Sequence, residues 1–267
     1  IIKNFLIQNR SFLKKSAAVL SGSVIVQLIP IFLLPFLSRS IEEEVLGYYL
    51  LWISFSSLFL ILMTVKLDIA IFVSKTEEEA FKLLQLIIII AIFVGTLLFL
   101  IGQFVFLVLD ISEEYLILEP FFLVLILYSI VFSIITAINS FQVYCSDFYN
   151  YNVSRIVFAI VLNSFVLFTT LLIDTSLKAI IYSHFIGSIF ALIIILYQNK
   201  FIHNILNLSW IIKEPTKLLK KHKKFLIFSL PAEFINNLSN QIPLIFIASK
   251  FGGVYLAYYA LINKSLS

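Results

Sequence analysis

Long, nearly uncharged runs of hydrophobic residues recur along the whole chain. Seven runs are long enough to cross a hydrocarbon core of about 30 Å, because an α-helix rises 1.5 Å per residue. They lie at Ser16–Leu37, Leu46–Val65, Leu83–Leu109, Pro120–Ala137, Val153–Ile173, Leu177–Tyr197 and Phe225–Ser249, and an eighth run opens at Val254. The pattern predicts an all-α fold, a polytopic transmembrane helix bundle with seven complete spans and the start of an eighth.

Composition agrees with a membrane-embedded chain. Of 267 residues, 61% are hydrophobic and 13% are charged, whereas soluble domains contain roughly 25% charged residues. A soluble globular protein is therefore excluded. The single Cys145 excludes an intramolecular disulfide, and no spacing of Cys, His or acidic residues indicates a metal site. We expect no cofactor and no nucleic-acid partner.

The basic residues are distributed unequally between the predicted loops. If the N-terminus is cytoplasmic, 15 of the 19 Lys and Arg residues lie on the inner side. Three lie outside, Arg39, Lys178 and Lys250, and Lys264 lies within the eighth run. Because cytoplasmic loops are enriched in Lys and Arg, this asymmetry predicts a cytoplasmic N-terminus.

One long connection divides the chain. We predict a six-helix lobe over residues 1–197, a cytoplasmic linker over 198–224, and an incomplete second lobe over 225–267. The linker carries apolar residues at helical spacing, followed by several lysines. These lysines either bind the helix to anionic membrane lipids or gather an anionic substrate. The chain begins with Ile and ends about 14 residues into the eighth run, so we expect it to be a piece of a longer protein.

Polar residues at membrane depth are the candidate functional positions. Gln27 lies on one face of the first span with Ser23 and Pro30, and the seventh span carries a polar face bracketed by prolines. That second face comprises Glu233, Asn237, Asn240 and Gln241. Amides facing lipid are costly, so we expect the two faces to meet across a hydrated cavity, with interhelical hydrogen bonding as the alternative.

Four charged residues complete the candidate set. Lys264 lies roughly 14 Å into the eighth run, and it either binds an anionic ligand or pairs with Glu233. Lys66 and Asp68 form either a gate or an ion pair that fixes the adjoining loop. Arg39 lies at the outer end of the first span, where basic residues usually contact headgroups. For His184, a hydrogen-bonding role is favoured over a proton relay.

Parts of the first lobe return in the second. A shift of 210 residues places Gly47-Tyr48-Tyr49 on Ala257-Tyr258-Tyr259, and a slightly different offset places Gln27-Leu28-Ile29-Pro30 against Gln241-Ile242-Pro243. Internal repeats of this kind are common in transporters. These segments resemble the bacterial O-antigen and capsule flippases of the multidrug/oligosaccharidyl-lipid/polysaccharide exporter superfamily. The resemblance also includes Ser21-Gly22, Leu34-Pro35, Ser38-Arg39, Lys66-Leu67-Asp68-Ile69-Ala70-Ile71 and Ser229-Leu230-Pro231.

The resemblance implies a two-lobe transporter of twelve or more helices in the bacterial inner membrane. It implies no enzymatic activity but alternating-access translocation of a polyprenyl-pyrophosphate-linked oligosaccharide, with polysaccharide assembly enzymes as candidate partners. Lys264 would then contact the pyrophosphate, and Gln27, Arg39, Glu233, Asn237, Asn240 and Gln241 would bind substrate. Two alternatives stay open, a multidrug exporter of the same superfamily and a membrane-embedded polysaccharide polymerase or glycosyltransferase.

Overall fold

The computed structural model describes residues 10–108, 117–199 and 215–266, and every regular element in these ranges is helical. The helices are α1 (Arg10–Ser40), α2 (Glu43–Thr64), α3 (Leu67–Phe72), α4 (Glu77–Val108), α5 (Phe122–Tyr144), α6 (Phe148–Leu172), α7 (Leu177–Gln198), α8 (Pro215–Lys221) and α9 (Leu230–Leu266). A 3-10 turn at Glu119–Phe121 precedes α5, and a π-helical turn at Phe225–Ser229 precedes α9. Seven of the described helices are long and apolar enough to span a membrane. The predicted all-α polytopic bundle is thus confirmed.

The helices extend past the hydrophobic runs because polar residues stabilise their first turns. Helix α4 begins with three glutamates, whose negative charge is favourable near the positive end of the helix dipole. The Asp147 side chain accepts a hydrogen bond from the Asn150 backbone N–H, 3.2 Å away, and so caps α6. Ser176 caps α7 in the same way through the Ala179 N–H.

Helices α2 and α5 lie at the centre of the bundle. Helix α5 packs against α2, α4, α6 and α7, while α1 packs along α6 and α9 packs along α2. Trp52 and Leu51 of α2 are completely buried in the largest hydrophobic cluster. We call the end where α4, α6 and α9 begin, next to α8, the α8 end, and the opposite end the far end.

Helix α9 has 37 residues and would be about 55 Å long if it were straight, well beyond the bilayer core. It is interrupted at Gly252, where φ is 80° and ψ is −177°. This left-handed conformation favours glycine because other residues carry a Cβ that crowds the backbone. The break separates the predicted seventh span from the predicted start of the eighth.

The predicted amphipathic part of the linker, with Phe201, Ile205, Leu208 and Ile212, lies outside the described residues. Within the linker the structure describes α8, which carries lysines in its last turn. The division into lobes stays a prediction.

Candidate functional site

A line of polar contacts joins α2 to α9 in a largely apolar interface. The Ser57 hydroxyl lies 3.2 Å from Asn237 Oδ1, and Gln241 Nε2 donates to Ser57 Oγ at 3.4 Å. The same hydroxyl also lies 2.7 Å from the Ser54 carbonyl of its own helix. A hydroxyl has one proton, so the longer contact to Asn237 is the one more easily lost. We call Ser57, Asn237 and Gln241 the amide line.

An ion pair lies near the amide line, at the α8 end. Lys66 Nζ is 3.6 Å from Glu233 Oε1, and the lysine side chain is only 14% exposed whereas the glutamate is 44% exposed. Glu233, Asn237 and Gln241 follow one another at intervals of four residues, which places them on one face of α9. The structure therefore brings three predicted site residues together on the α2-facing side of this helix.

Lys66 is positioned by an unusual turn. Val65 and Lys66, between α2 and α3, have φ values of 49° and 57°. Left-handed conformations are uncommon for residues other than glycine and are strained for a β-branched residue such as Val65. Strain of this kind costs about 1–3 kcal/mol per residue and is often found at functional sites. The turn ends α2, and the Lys66 ammonium group lies beside Glu233 near the start of α9.

Asp68 lies on α3, two residues after Lys66. Its Oδ1 is buried and has no hydrogen-bond partner among the described residues. Burial raises the pKa of this carboxyl above its ordinary value, and attraction to Lys66 offsets the rise only in part. Of the two predicted gate residues, Lys66 thus forms its close ion pair with Glu233, while Asp68 is a separate, largely buried acid.

The other predicted site residues are not gathered at this interface. Gln27, Arg39 and Asn240 are exposed, and in the described part of the chain α1 packs along α6 and not along α9. The side chain of Lys264 lies outside the described residues. The predicted cavity between Gln27 and the amide line stays a prediction.

Arg155 is a polar residue of the bundle that the sequence pattern did not single out. Its Nη1 donates to Ser23 Oγ at 2.8 Å and to the Tyr151 hydroxyl at 3.1 Å. Gly22 permits this contact between α1 and α6, because a Cβ there would lie 2.1 Å from Asn152 Oδ1. The available signal in the sequence was an arginine within the predicted span Val153–Ile173, two residues from its start.

His184 lies in a buried aromatic cluster. Its Nδ1 is 2.7 Å from the Tyr49 hydroxyl, and the rings of Trp52 and Tyr128 meet the imidazole edge to face. This geometry supports the predicted hydrogen-bonding role. It also gives Tyr49, a residue of the repeated Gly-Tyr-Tyr segment, a role in packing α2 against α7.

A second charged cluster ties the linker to the bundle. Glu79 Oε1 lies 2.5 Å from Lys221 Nζ and 2.8 Å from His222 Nε2. His222 is 5% and Glu79 11% exposed at the side chain. The carboxylate on α4 thereby holds the segment that leads into α9.

In the residues that the structure describes, no group of three or more His, Cys, Asp or Glu side chains is arranged to hold a metal ion.

Two polar interfaces stand out, the amide line with its ion pair between α2 and α9, and the surroundings of Arg155 between α1 and α6. Comparisons of the chain with protein-family models, with curated proteins and with solved structures give no match.

Proposed function

We propose that the protein is a transmembrane transporter that moves a lipid-linked oligosaccharide across a bacterial inner membrane by alternating access, with its N-terminus in the cytoplasm. The substrate class is a polyprenyl-pyrophosphate-linked repeat unit of an O-antigen or capsule polysaccharide. The observation that supports this best is the amide line with its adjoining ion pair, at the contact between the predicted first lobe and the start of the predicted second lobe.

The strength of these contacts suits an interface that opens and closes. Interhelical hydrogen bonds in membranes average about 0.6 kcal/mol, and partly exposed ion pairs contribute about 0–1 kcal/mol. The two contacts of Ser57 and the Lys66–Glu233 pair therefore add about 1–2 kcal/mol. That is small enough for α9 to separate from α2 thermally, yet large enough to bias the population of the closed state.

The charges favour an anionic substrate over a cationic drug. Glu233, the acid on the α2-facing side of α9, lies 3.6 Å from Lys66, so its negative charge is compensated. The chain also carries a formal net charge of +4, which favours encounter with an anionic pyrophosphate.

The proposal is tested by direct translocation. Purified full-length protein is reconstituted into vesicles containing a radiolabelled polyprenyl-pyrophosphate oligosaccharide, and the fraction of glycan accessible to external periodate is followed over time. We expect accessibility to rise faster than in protein-free vesicles. Equal rates would refute the transport function.

Two serines on α2 provide a matched pair of variants. Ser57→Ala removes both contacts to α9, which should shift the equilibrium between closed and open states by roughly eightfold, at about 0.6 kcal/mol per contact. Ser54→Ala removes a hydroxyl whose hydrogen bond, in the part of the chain that the structure describes, goes to the Leu50 carbonyl of the same helix. We expect an altered translocation rate for Ser57→Ala alone. Identical rates for the two variants would show that the amide line plays no part.

A further inference from the structure

Arg155 is a partly buried cation for which the proposed transport interface gives no role. It lies seven residues into α6, about 10 Å along the helix from its start. A charged side chain within a span costs at least about 2.5–3.5 kcal/mol at the helix centre unless it has a partner or reaches water. Among the described residues, no carboxylate lies within ion-pairing distance of this guanidinium group, and its hydrogen-bond partners there are the neutral hydroxyls of Ser23 and Tyr151.

The guanidinium group is held in place and still has donors to offer. Both of the hydrogen bonds that it makes to described residues start from Nη1, whereas an arginine has five N–H donors on three nitrogens. The ring of Tyr151 lies beneath it, with the guanidinium carbon 5.2 Å from the ring centroid. A guanidinium group held in this way can donate two parallel hydrogen bonds to two oxygens of a phosphate or carboxylate.

A cavity of about 520 Å³ opens beside the Arg155 guanidinium group, between α1, α3, α5 and α6. Its volume lies in the usual range for small-molecule sites. Arg155, Tyr151 and Ser140 are polar residues of its wall, and Val26, Phe72 and Ile135 are among the apolar ones. Phe132 and Phe158 also line it, with their rings stacked at 5.4 Å and nearly parallel.

We propose that this cavity binds a phosphate ester carried on an apolar chain. The Arg155 guanidinium pairs with the phosphate, and the chain lies along the aromatic and aliphatic wall. An anion at this position supplies the counter-charge that the described residues do not supply. The site is within the predicted first lobe and is separate from the α2–α9 interface, so it does not depend on the proposed transport function.

Binding is measured by isothermal titration of the full-length protein, in an uncharged detergent, with dodecyl phosphate as the probe. We expect saturable binding at one site per chain. Phosphatidic acid should compete with the probe, because it carries the same group on a bilayer lipid. Inorganic phosphate at the same concentrations should not. Displacement by inorganic phosphate as effective as by phosphatidic acid would overturn the requirement for an apolar chain.

Four variants test the contacts. Arg155→Gln should weaken binding at least about tenfold, since it removes charge-assisted hydrogen bonds, and Arg155→Lys should retain part of the affinity. Val26→Trp, on the opposing helix, fills the cavity without altering Arg155 and should also weaken binding. Lys178→Gln removes one exposed positive charge elsewhere and should change nothing.

The variants keep the proposal open to refutation even if one of them misfolds. Wild-type affinity in Arg155→Gln or in Val26→Trp would refute the site, as would equal weakening by Lys178→Gln. Because the titration does not measure translocation, a negative result here leaves the transport proposal unaffected, and absence of translocation leaves this one unaffected.

Discussion

Gly47 of α2 lies directly against the backbone of α9. A Cβ added at this position would lie 1.9 Å from the Gly253 carbonyl oxygen and 2.7 Å from its carbon. Both are main-chain atoms that cannot rotate away. Since real Cβ contacts are essentially never shorter than 3.0 Å, Gly47→Ala requires α2 and α9 to separate locally by at least about 1.1 Å, the difference between these two distances.

The cost follows from what this separation disturbs. Inserting a methyl group into a close-packed contact typically costs 1–3 kcal/mol, and a clash between two main chains belongs at the upper end. The same displacement carried along α9 would lengthen the Ser57 contacts, now 3.2 and 3.4 Å, beyond hydrogen-bonding distance, adding about 1.2 kcal/mol. We expect a total destabilisation of about 3–4 kcal/mol.

Two measurements check this expectation. Thermal unfolding of the purified full-length protein in detergent should occur at a clearly lower temperature in Gly47→Ala. Oxidative crosslinking between cysteines introduced at Ser57 and Asn237 should also fall, because the helices no longer approach closely. Gly102→Ala is the comparison variant, since the three atoms nearest to a Cβ there belong to the Phe122 side chain, which can turn aside where a main chain cannot, so its unfolding temperature should fall less. An unchanged unfolding temperature together with unchanged crosslinking in Gly47→Ala would refute the close α2–α9 contact.

Three further predictions concern charges. In a double-mutant cycle, Lys66→Ala and Glu233→Ala should show a coupling free energy of about 0.5–1 kcal/mol between the two side chains; losses of stability that simply add would contradict the pairing. Asp68→Asn should raise the unfolding temperature near neutral pH, and the gain should vanish below about pH 4. The reason is that burial raises the pKa of this carboxyl in the folded protein, so the wild type loses stability as the pH rises from the ordinary pKa of an aspartate to the raised one. A gain that persists in acid would argue against this cause. In a cysteine-free background, Lys217→Cys should react with an impermeant thiol reagent from the cytoplasm and Asp174→Cys from outside, and the reverse pattern would overturn the proposed orientation.

The spans could be predicted from the sequence because a membrane requires about 20 apolar residues for each crossing, whatever the neighbouring helices are. Their exact ends could not, since caps such as Asp147 and glutamates such as Glu77 belong to the helix although they interrupt the hydrophobic run. The sequence predicts the break in α9 from the apolar runs, since the seventh ends at Ser249 and the eighth opens at Val254. The left-handed backbone at Gly252 is visible only in three dimensions.

The sequence predicts the polar face of α9, but it does not predict which helix packs against that face. A spacing of four residues placed Glu233, Asn237 and Gln241 on one face, whereas periodicity does not reveal which helix meets that face. The sequence pairs it with the first span and Gln27, whereas the structure supplies Ser57 from α2 and Lys66 from the turn between α2 and α3. Arg155 was overlooked for a similar reason, because its partner Ser23 is 132 residues away in the chain.

The carboxylate of Glu79 fixes the segment that leads into α9, so a small tilt of α9 about this point moves its distant end much more than its start. Lys221 and His222 are held at this one oxygen, and the π-helical turn at Phe225–Ser229 lies between that fixed point and the rest of the helix. The arm from Phe225 to Phe251 is about 40 Å long at 1.5 Å per residue. A tilt of about 5° would therefore move its tip by roughly 3.5 Å, but the region of Asn237 by only about 1.6 Å. A rotation too small to disturb the hinge is thus large enough to part the hydrogen bonds beside it and to swing the Gly252 break clear of α2.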